Sequence, residues 1–175
     1  LGEKDGPSLL RQALQQALAT GEPQRIVPVR IALVEAAWLA DDSAACHEHL
    51  SELDKMDLKN FDAWGLGELA TWRHRVGHEG PPSTTDIPAP RAAELRGDVI
   101  AAADEWERLG LPYEAALALI QVRGAGAGAE TTFARAVLLL EAIEARPAAA
   151  RAREAARLAG ATAELPALRR GAYAV

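Results

Sequence analysis

The chain has 175 residues, which is enough for one domain with its own core or for a short array of repeats. With 49% hydrophobic and 25% charged residues, the composition excludes a disordered chain. A net charge of −6 argues against nucleic-acid binding, and the lack of any run of about 18 apolar residues excludes a membrane-spanning helix.

Apolar residues at helical spacing predict four helices in the first part of the chain. Ser8 is a candidate N-cap for the first helix, and Gly21 is expected to end it. Pro28 is expected in the first turn of the second helix, where its missing N–H costs nothing. The four helices are predicted at about residues 9–20, 27–40, 43–56 and 61–76.

Residues 77–90 interrupt this pattern with four prolines and two glycines, which predicts an exposed linker. The segment GAGAGA, residues 124–129, is predicted to be a flexible turn between later helices. No stretch has strand character, so the chain is predicted to be all-α with roughly eight or nine helices. The later helices are expected at about residues 91–96, 99–109, 113–122, 130–145 and 147–159.

Three predicted helices share a template: a small residue, a large apolar residue four positions on, and another three positions later. The small residue is expected where two helices come closest, and the larger ones fill the groove toward the next hairpin. Ala102 and Ala136 are 34 positions apart, the period of tetratricopeptide repeats (TPR). Cys46 and Ala102 are 56 apart, and the 22 extra positions fall in the linker. The copies are Cys46, Leu50 and Leu53; Ala102, Trp106 and Leu109; and Ala136, Leu140 and Ile143.

This template predicts TPR-like hairpins stacked as a right-handed superhelix, and the alternative is an irregular helical bundle. The six arginines within residues 146–170 are interpreted as a solvated helix face, with a nucleic-acid patch as the alternative. The predicted parts are N-terminal helical hairpins at 1–78, a proline-rich linker at 79–90, C-terminal TPR-like hairpins at 91–160 and a weakly ordered tail at 161–175.

Residues with reactive groups are present, but their patterns are incomplete. His74 and His78 are four positions apart, a spacing that lets two imidazoles reach one metal ion. No third ligand accompanies them, and Arg73 and Arg75 would repel a cation, so surface histidines are expected. GAGAGA lacks the strand and the Lys of a phosphate-binding loop, and Cys46 is expected to be a buried, inert thiol. We therefore predict no catalytic, cofactor-binding or metal-binding residue and no enzyme activity.

The four tryptophans are expected to pack in the core of the helical array. Trp72 is the expected exception, because Arg73, His74 and Arg75 follow it. Since tryptophan and arginine anchor many protein interfaces, Trp72, Arg73 and Arg75 are predicted to form a partner surface. The other tryptophans are Trp38, Trp64 and Trp106.

Three segments carry a resemblance to a known family: ATGEPQRIVPVRIALVEAAWLADD, AADEWERLGLPYEAALAL and LLLEAIEARPAAARAREAARLAG. They resemble the helical-repeat region of large bacterial LuxR-type, MalT-like regulators, which carry an N-terminal ATPase module and a C-terminal helix-turn-helix. The resemblance implies a region that couples an inducer or partner protein to ATP-dependent self-association and DNA binding. The chain has neither a phosphate-loop motif nor a helix-turn-helix, so those two activities do not transfer to it.

The sequence therefore predicts a non-enzymatic protein-interaction or ligand-sensing module of a LuxR-type transcriptional regulator. Its expected partner is a protein or a small effector, with homo-oligomers possible and no direct nucleic-acid binding by this segment. The alternatives are a stand-alone TPR-like adaptor that binds a peptide or partner protein, and an enzyme with a cryptic site. With one cysteine and no signal-peptide pattern, the expected location is the cytoplasm, and the missing initial Met suggests a fragment.

Overall fold

The structure is a computed structural model that describes residues 6–80 and 86–167. Within these ranges the chain forms nine α-helices and no strand, which confirms the all-α prediction. The right-handed superhelical path stays a prediction. The helices are α1 (Gly6–Thr20), α2 (Pro23–Leu39), α3 (Ser43–Asp54), α4 (Ala63–Val76), α5 (Ala89–Leu95), α6 (Val99–Arg108), α7 (Pro112–Leu119), α8 (Ala127–Ala142) and α9 (Arg146–Leu158).

Helix α2 lies at the centre of the packing. Most consecutive helices pack against each other as hairpins, and α2 contacts α4 and α9 as well as its neighbours α1 and α3. Because it is covered on several sides, α2 buries residues around most of its circumference rather than along one stripe. Its buried residues are Ile26, Val27, Arg30, Ile31, Leu33, Val34 and Trp38.

The turns between helices repeat at the predicted spacings. Asp42 and Asp98, 56 positions apart, are the N-caps of α3 and α6, and each accepts a backbone N–H from three positions on, at 3.0 and 3.1 Å. Gly110 and Glu144, 34 positions apart, both have left-handed backbones, with φ of 75° and 55°. The residue after each donates its N–H to a carbonyl five positions back, at 2.9 Å in both turns. The 34-position period therefore has a structural counterpart at the ends of α6 and α8.

The first two positions of the template are buried in all three copies, and the small residues Cys46, Ala102 and Ala136 are 1% exposed or less. The packing predicted for the third position is wrong in two copies, since Leu109 is 43% exposed and Ile143 is 40% exposed. Both lie at the C-cap, where the chain turns away from the packed face of the helix.

Several predicted helix boundaries are wrong, because other residues of the chain start the helices. Helix α1 begins at Gly6, before Ser8, so Ser8 is not its N-cap. Pro23 occupies the first turn of α2, and Pro28 lies inside that helix at an exposed position. The second half of GAGAGA is helical, because Gly126 caps a helix that begins at Ala127.

The predicted linker and tail are only partly described. Residues 77–80 and 86–88 of the linker are non-helical, and residues 81–85 lie outside the described residues, as do residues 168–175 of the tail. One hydrophobic cluster runs from Val27 in α2 to Ala152 in α9, so helices before and after the linker share a core. Among the described residues, no helix is both long and apolar enough to cross a bilayer.

We expect Ala136→Leu to lower the free energy of unfolding by about 1–3 kcal/mol, because the larger side chain has no room where α8 packs against α7 and α9. Ala142→Leu, at an exposed position of the same helix, is the matched control and should have little effect. Urea denaturation followed by circular dichroism measures both. Equal midpoints for the two variants would show that the template does not mark the closest helix contacts.

Candidate functional site

Seven polar side chains from α2, α4, α5 and α7 meet inside the helical array and are hereafter the charge cluster. Glu68 and Arg75 lie two turns apart on α4, and Arg91 and Glu94 lie one turn apart on α5, so each helix presents its pair on one face. Helix α2 and helix α7 supply the rest. The members are Glu35, Glu68, Arg75, Arg91, Glu94, Tyr113 and Glu114.

The charge cluster is organised around one ion pair that is closed to solvent. Arg75 donates to both carboxylate oxygens of Glu94, from Nε at 2.7 Å and from Nη2 at 3.0 Å. Both side chains are 0% exposed. The guanidinium carbon of Arg75 also lies 4.8 Å from the ring centroid of Trp72. Two charges at such a depth are tolerated only as a well-formed pair, so the bidentate geometry holds α4 and α5 in one relative position.

The second guanidinium of the charge cluster is less completely paired. Arg91 lies 3.7 Å from Glu114 and 3.8 Å from Glu68, and its guanidinium carbon is 5.0 Å from the ring centroid of Trp106. These separations exceed hydrogen-bond length, although the side chain of Arg91 is only 6% exposed. In the charge cluster and the adjacent Trp106, the buried side-chain atoms that make no hydrogen bond to the described residues are Arg75 Nη1, Arg91 Nε and Nη1, Trp106 Nε1 and Glu114 Oε2.

A groove of about 610 Å³ opens between α1, α2 and the start of α9, hereafter the α1–α2 groove. Among the described residues that line it, Glu35 is the one that is ionisable, and its Oε1 accepts a hydrogen bond from the Tyr113 hydroxyl. Glu35 therefore belongs to both the groove and the charge cluster. The remaining lining residues are Gly6, Pro7, Leu9, Leu10, Ala32, Ala36, Leu39, Ala40 and Pro147.

Burial perturbs the ionisable groups at this junction. It raises the pKa of Glu35, and the hydrogen bond from Tyr113 only partly offsets it. Burial also raises the pKa of Glu68, against the attraction of Arg91. The pKa of Tyr113 is raised as well, first by burial and then by the charge of Glu35. A carboxyl with a raised pKa on the wall of an apolar groove is typical of a functional site.

The predicted partner surface is wrong, because α4 presents those side chains to the rest of the chain. Trp72 is 1% exposed and the Arg75 side chain is fully buried. The side chain of Arg73 is 13% exposed and pairs with Asp54 of α3. Arg73 and Arg75 are therefore internal partners of acidic residues on other helices.

Three of the four tryptophans are buried, and two of these, Trp38 and Trp106, were predicted to be. Trp38, Trp72 and Trp106 are buried, which makes the choice of Trp72 as the exception wrong. Trp64 is the exposed one, at 50%, with its ring tilted against Trp106 at a centroid distance of 5.9 Å. Its exposure depends on which face of α4 its neighbours cover, and helical spacing alone does not fix that face.

His74 and His78 do not share a helix face, because Gly77 adopts a left-handed conformation and ends α4 between them. Instead, the Nε2 atom of His78 lies 2.8 Å from the Oδ2 atom of Asp54. Its Nδ1 atom lies 2.9 Å from the Nδ1 atom of His47. The sequence analysis missed this pairing, since 31 positions separate the histidines. Over residues 6–80 and 86–167, no three His, Cys, Asp or Glu residues are grouped to hold a metal ion.

Cys46 occupies the small position of the template, as predicted, and is 1% exposed. Its Sγ donates to the backbone carbonyl of Val34 at 3.5 Å, and burial raises the pKa of the thiol. Both effects favour the unreactive protonated form.

Comparisons of the chain with protein-family models, with characterised proteins and with solved structures found no match. The LuxR-type resemblance therefore stays a prediction, and the groove and the charge cluster carry the case for a function.

Breaking the buried ion pair should be costly, whereas removing both partners should be much less so. We expect Arg75→Met to lower the free energy of unfolding by about 3–5 kcal/mol, because it leaves Glu94 buried and unpaired. Adding Glu94→Leu should recover most of that loss. Chemical denaturation of the four species in a double-mutant cycle measures the coupling.

The exposed pair of Arg157 and Glu154 on α9 serves as the control, and Arg157→Met should change stability little. Additive effects of the two substitutions at Arg75 and Glu94 would contradict a shared, solvent-free ion pair.

The raised pKa of Glu35 predicts a pH dependence of stability. For a carboxyl whose folded-state pKa lies above its ordinary value of 4.5, the folded state binds the proton more tightly. The bound proton therefore makes its full contribution to the free energy of unfolding below pH 4.5. This contribution is lost as the pH rises through the folded-state pKa. Glutamine does not titrate, so the Glu35→Gln variant does not lose stability in this way. Its free energy of unfolding should therefore rise relative to that of the wild type from pH 4.5 toward neutrality.

Denaturation at a series of pH values measures this difference, with Glu48→Gln at an exposed position of α3 as control. Parallel pH curves for Glu35→Gln and the wild type would contradict the raised pKa.

Proposed function

We propose that the chain is a non-enzymatic, ligand-sensing helical-repeat module, and that the α1–α2 groove holds its ligand. The observation that carries this proposal is the groove itself. Its volume of about 610 Å³ lies within the range of small-molecule sites, and its apolar wall bears one perturbed carboxyl, Glu35. Such a wall favours an amphipathic ligand, because one end can be buried while the other meets the carboxyl.

The lining of the groove supports binding rather than catalysis. Acid–base chemistry needs a second convergent acid or base near the reacting atoms. Within the described part of the chain, the one hydrogen-bond partner of Glu35 is Tyr113, whose raised pKa keeps its hydroxyl protonated. A carboxyl with such a partner is suited to recognise a ligand and to report its arrival.

The hydrogen bond between Glu35 and Tyr113 supplies a route from the groove to the charge cluster. Glu114, the residue after Tyr113 on α7, lies 3.9 Å from Arg75 and 3.7 Å from Arg91. A ligand that competes with Tyr113 for Glu35 would change how α7 sits against α4 and α5. Binding would in this way bias the relative positions of the hairpins, which is the requirement for a sensor.

The resemblance to LuxR-type regulators suggests the biological setting that we propose. In that setting the chain is the sensing region of a cytoplasmic transcriptional regulator and responds to a small effector or to a partner protein. DNA binding is not part of the proposal, since the chain has no helix-turn-helix pattern and a net charge of −6.

A second candidate function, an adaptor for a peptide or a partner protein, is favoured by the exposure of Trp64. This side chain is 50% exposed, and Glu68 one turn later on α4 has a side chain that is 35% exposed. An exposed tryptophan beside a carboxylate is a suitable anchor for a basic segment of a partner.

A thermal-shift screen of the purified chain against small metabolites tests the groove. A ligand at about 100 times its dissociation constant should stabilise the fold by about 2.7 kcal/mol, or roughly 5–10 °C in melting temperature. Ala32→Phe fills the groove and should abolish the shift, because Ala32 lines it on α2. Ala44→Phe, at an exposed position of α3, is the matched control and should retain the shift.

A hit whose shift survives Ala32→Phe would place the ligand elsewhere and contradict the proposed site. A screen without any hit would favour the adaptor function over ligand sensing.

A further inference from the structure

We propose that the ligand of the α1–α2 groove is an organic cation, an ammonium group on an apolar body, and that the ammonium pairs with Glu35. This inference rests on the ligand-sensing function proposed above and names the class of ligand that the groove takes.

The excess of carboxyls over guanidiniums in the charge cluster favours a positively charged ligand. The cluster holds four carboxyls, those of Glu35, Glu68, Glu94 and Glu114, but two guanidiniums. Arg75 is committed to Glu94 through two hydrogen bonds, and Arg91 lies over Trp106 between two other carboxyls. Among the described residues, Glu35 is the one carboxyl of the cluster with no ion pair.

The partner that Glu35 does have leaves part of its hydrogen-bonding capacity unused. Tyr113 donates to Oε1, and the charged groups that act on Glu35 include Glu114 and Glu68, which disfavour its ionisation, and Arg75, which favours it. Burial raises the pKa of Glu35 more than these contacts lower it. A cation in the groove would therefore supply the charge that the chain itself does not.

The rest of the groove indicates the body of the ligand. Leu9 and Leu10 of α1, Leu39 of α2 and Pro147 at the start of α9 contribute apolar surface on three helices. Leu9 is 60% exposed, so a bound hydrocarbon would remove apolar surface of the protein from water.

Two other classes of ligand fit these observations less well. An anion would bring a second negative charge against Glu35 in a region of low dielectric constant. A neutral hydrocarbon would cover the carboxyl of Glu35 without giving its second oxygen a partner, which costs free energy. An alkylammonium satisfies both the carboxyl and the apolar wall.

Three probes of one length separate these classes: n-octylammonium, n-octanol and n-octanoate. Titration calorimetry at pH 7.5 gives the affinity of each for the wild type, Glu35→Gln, Ala32→Phe and the control Glu48→Gln. We expect the wild type to bind octylammonium at least about tenfold more tightly than octanol, and octanoate more weakly than either. Glu35→Gln should bring octylammonium down to the affinity of octanol, while Glu48→Gln should keep the preference.

Each failure has its own signature. Equal binding of octanol and octylammonium, abolished by Ala32→Phe, would overturn the cation inference but leave the groove as a ligand site. Tightest binding of octanoate would overturn it in the same way. A preference for octylammonium that survives Glu35→Gln would also overturn it, because the charge would then be read elsewhere. If the wild type binds none of the three probes, the cation inference fails, and the proposed function fails with it only if the metabolite screen also gives no hit that Ala32→Phe abolishes.

Discussion

The buried ion pair of Arg75 and Glu94 is the interaction on which the arrangement of the helices depends. It joins α4, the last helix before the proline-rich segment, to α5, the first helix after it. Apolar contacts alone would allow α4 and α5 to slide or rotate, because such contacts are not directional. Two parallel hydrogen bonds to one carboxylate fix both distance and angle, so the two parts of the array meet in a single register.

This directional pair costs free energy that the surrounding residues must offset. Trp72 covers the guanidinium of Arg75, and Trp106 covers that of Arg91, so both cations lie against aromatic faces. The offset is incomplete, since several buried polar atoms of the charge cluster make no hydrogen bond among the described residues. A cluster that is held tightly at one pair and loosely at its edge can rearrange at that edge without unfolding. The edge includes Glu35, which is also where the α1–α2 groove meets the cluster.

The sequence could predict those features that residues close along the chain decide. Gly21 ends α1, and Asp42 and Asp98 cap α3 and α6, because caps and left-handed turns depend on a few neighbouring positions. The candidate site was missed because its contacts join distant positions: 19 residues separate Arg75 from Glu94, and 78 separate Glu35 from Tyr113. Helical periodicity identifies the faces of a helix but not which face a distant helix will cover.

The central position of α2 explains why a groove on its surface could influence the whole array. Ala32, Glu35, Ala36 and Leu39 face the groove, and the same helix contacts α1, α3, α4 and α9 and reaches α7 through Tyr113. A close-packed helix cannot move without displacing its neighbours, so a change in the position of α2 would be transmitted to helices on both sides of the linker. A ligand at an outer helix of the array would meet one or two neighbours. The physical advantage of this site is therefore that the helix that lines the groove also holds the array together.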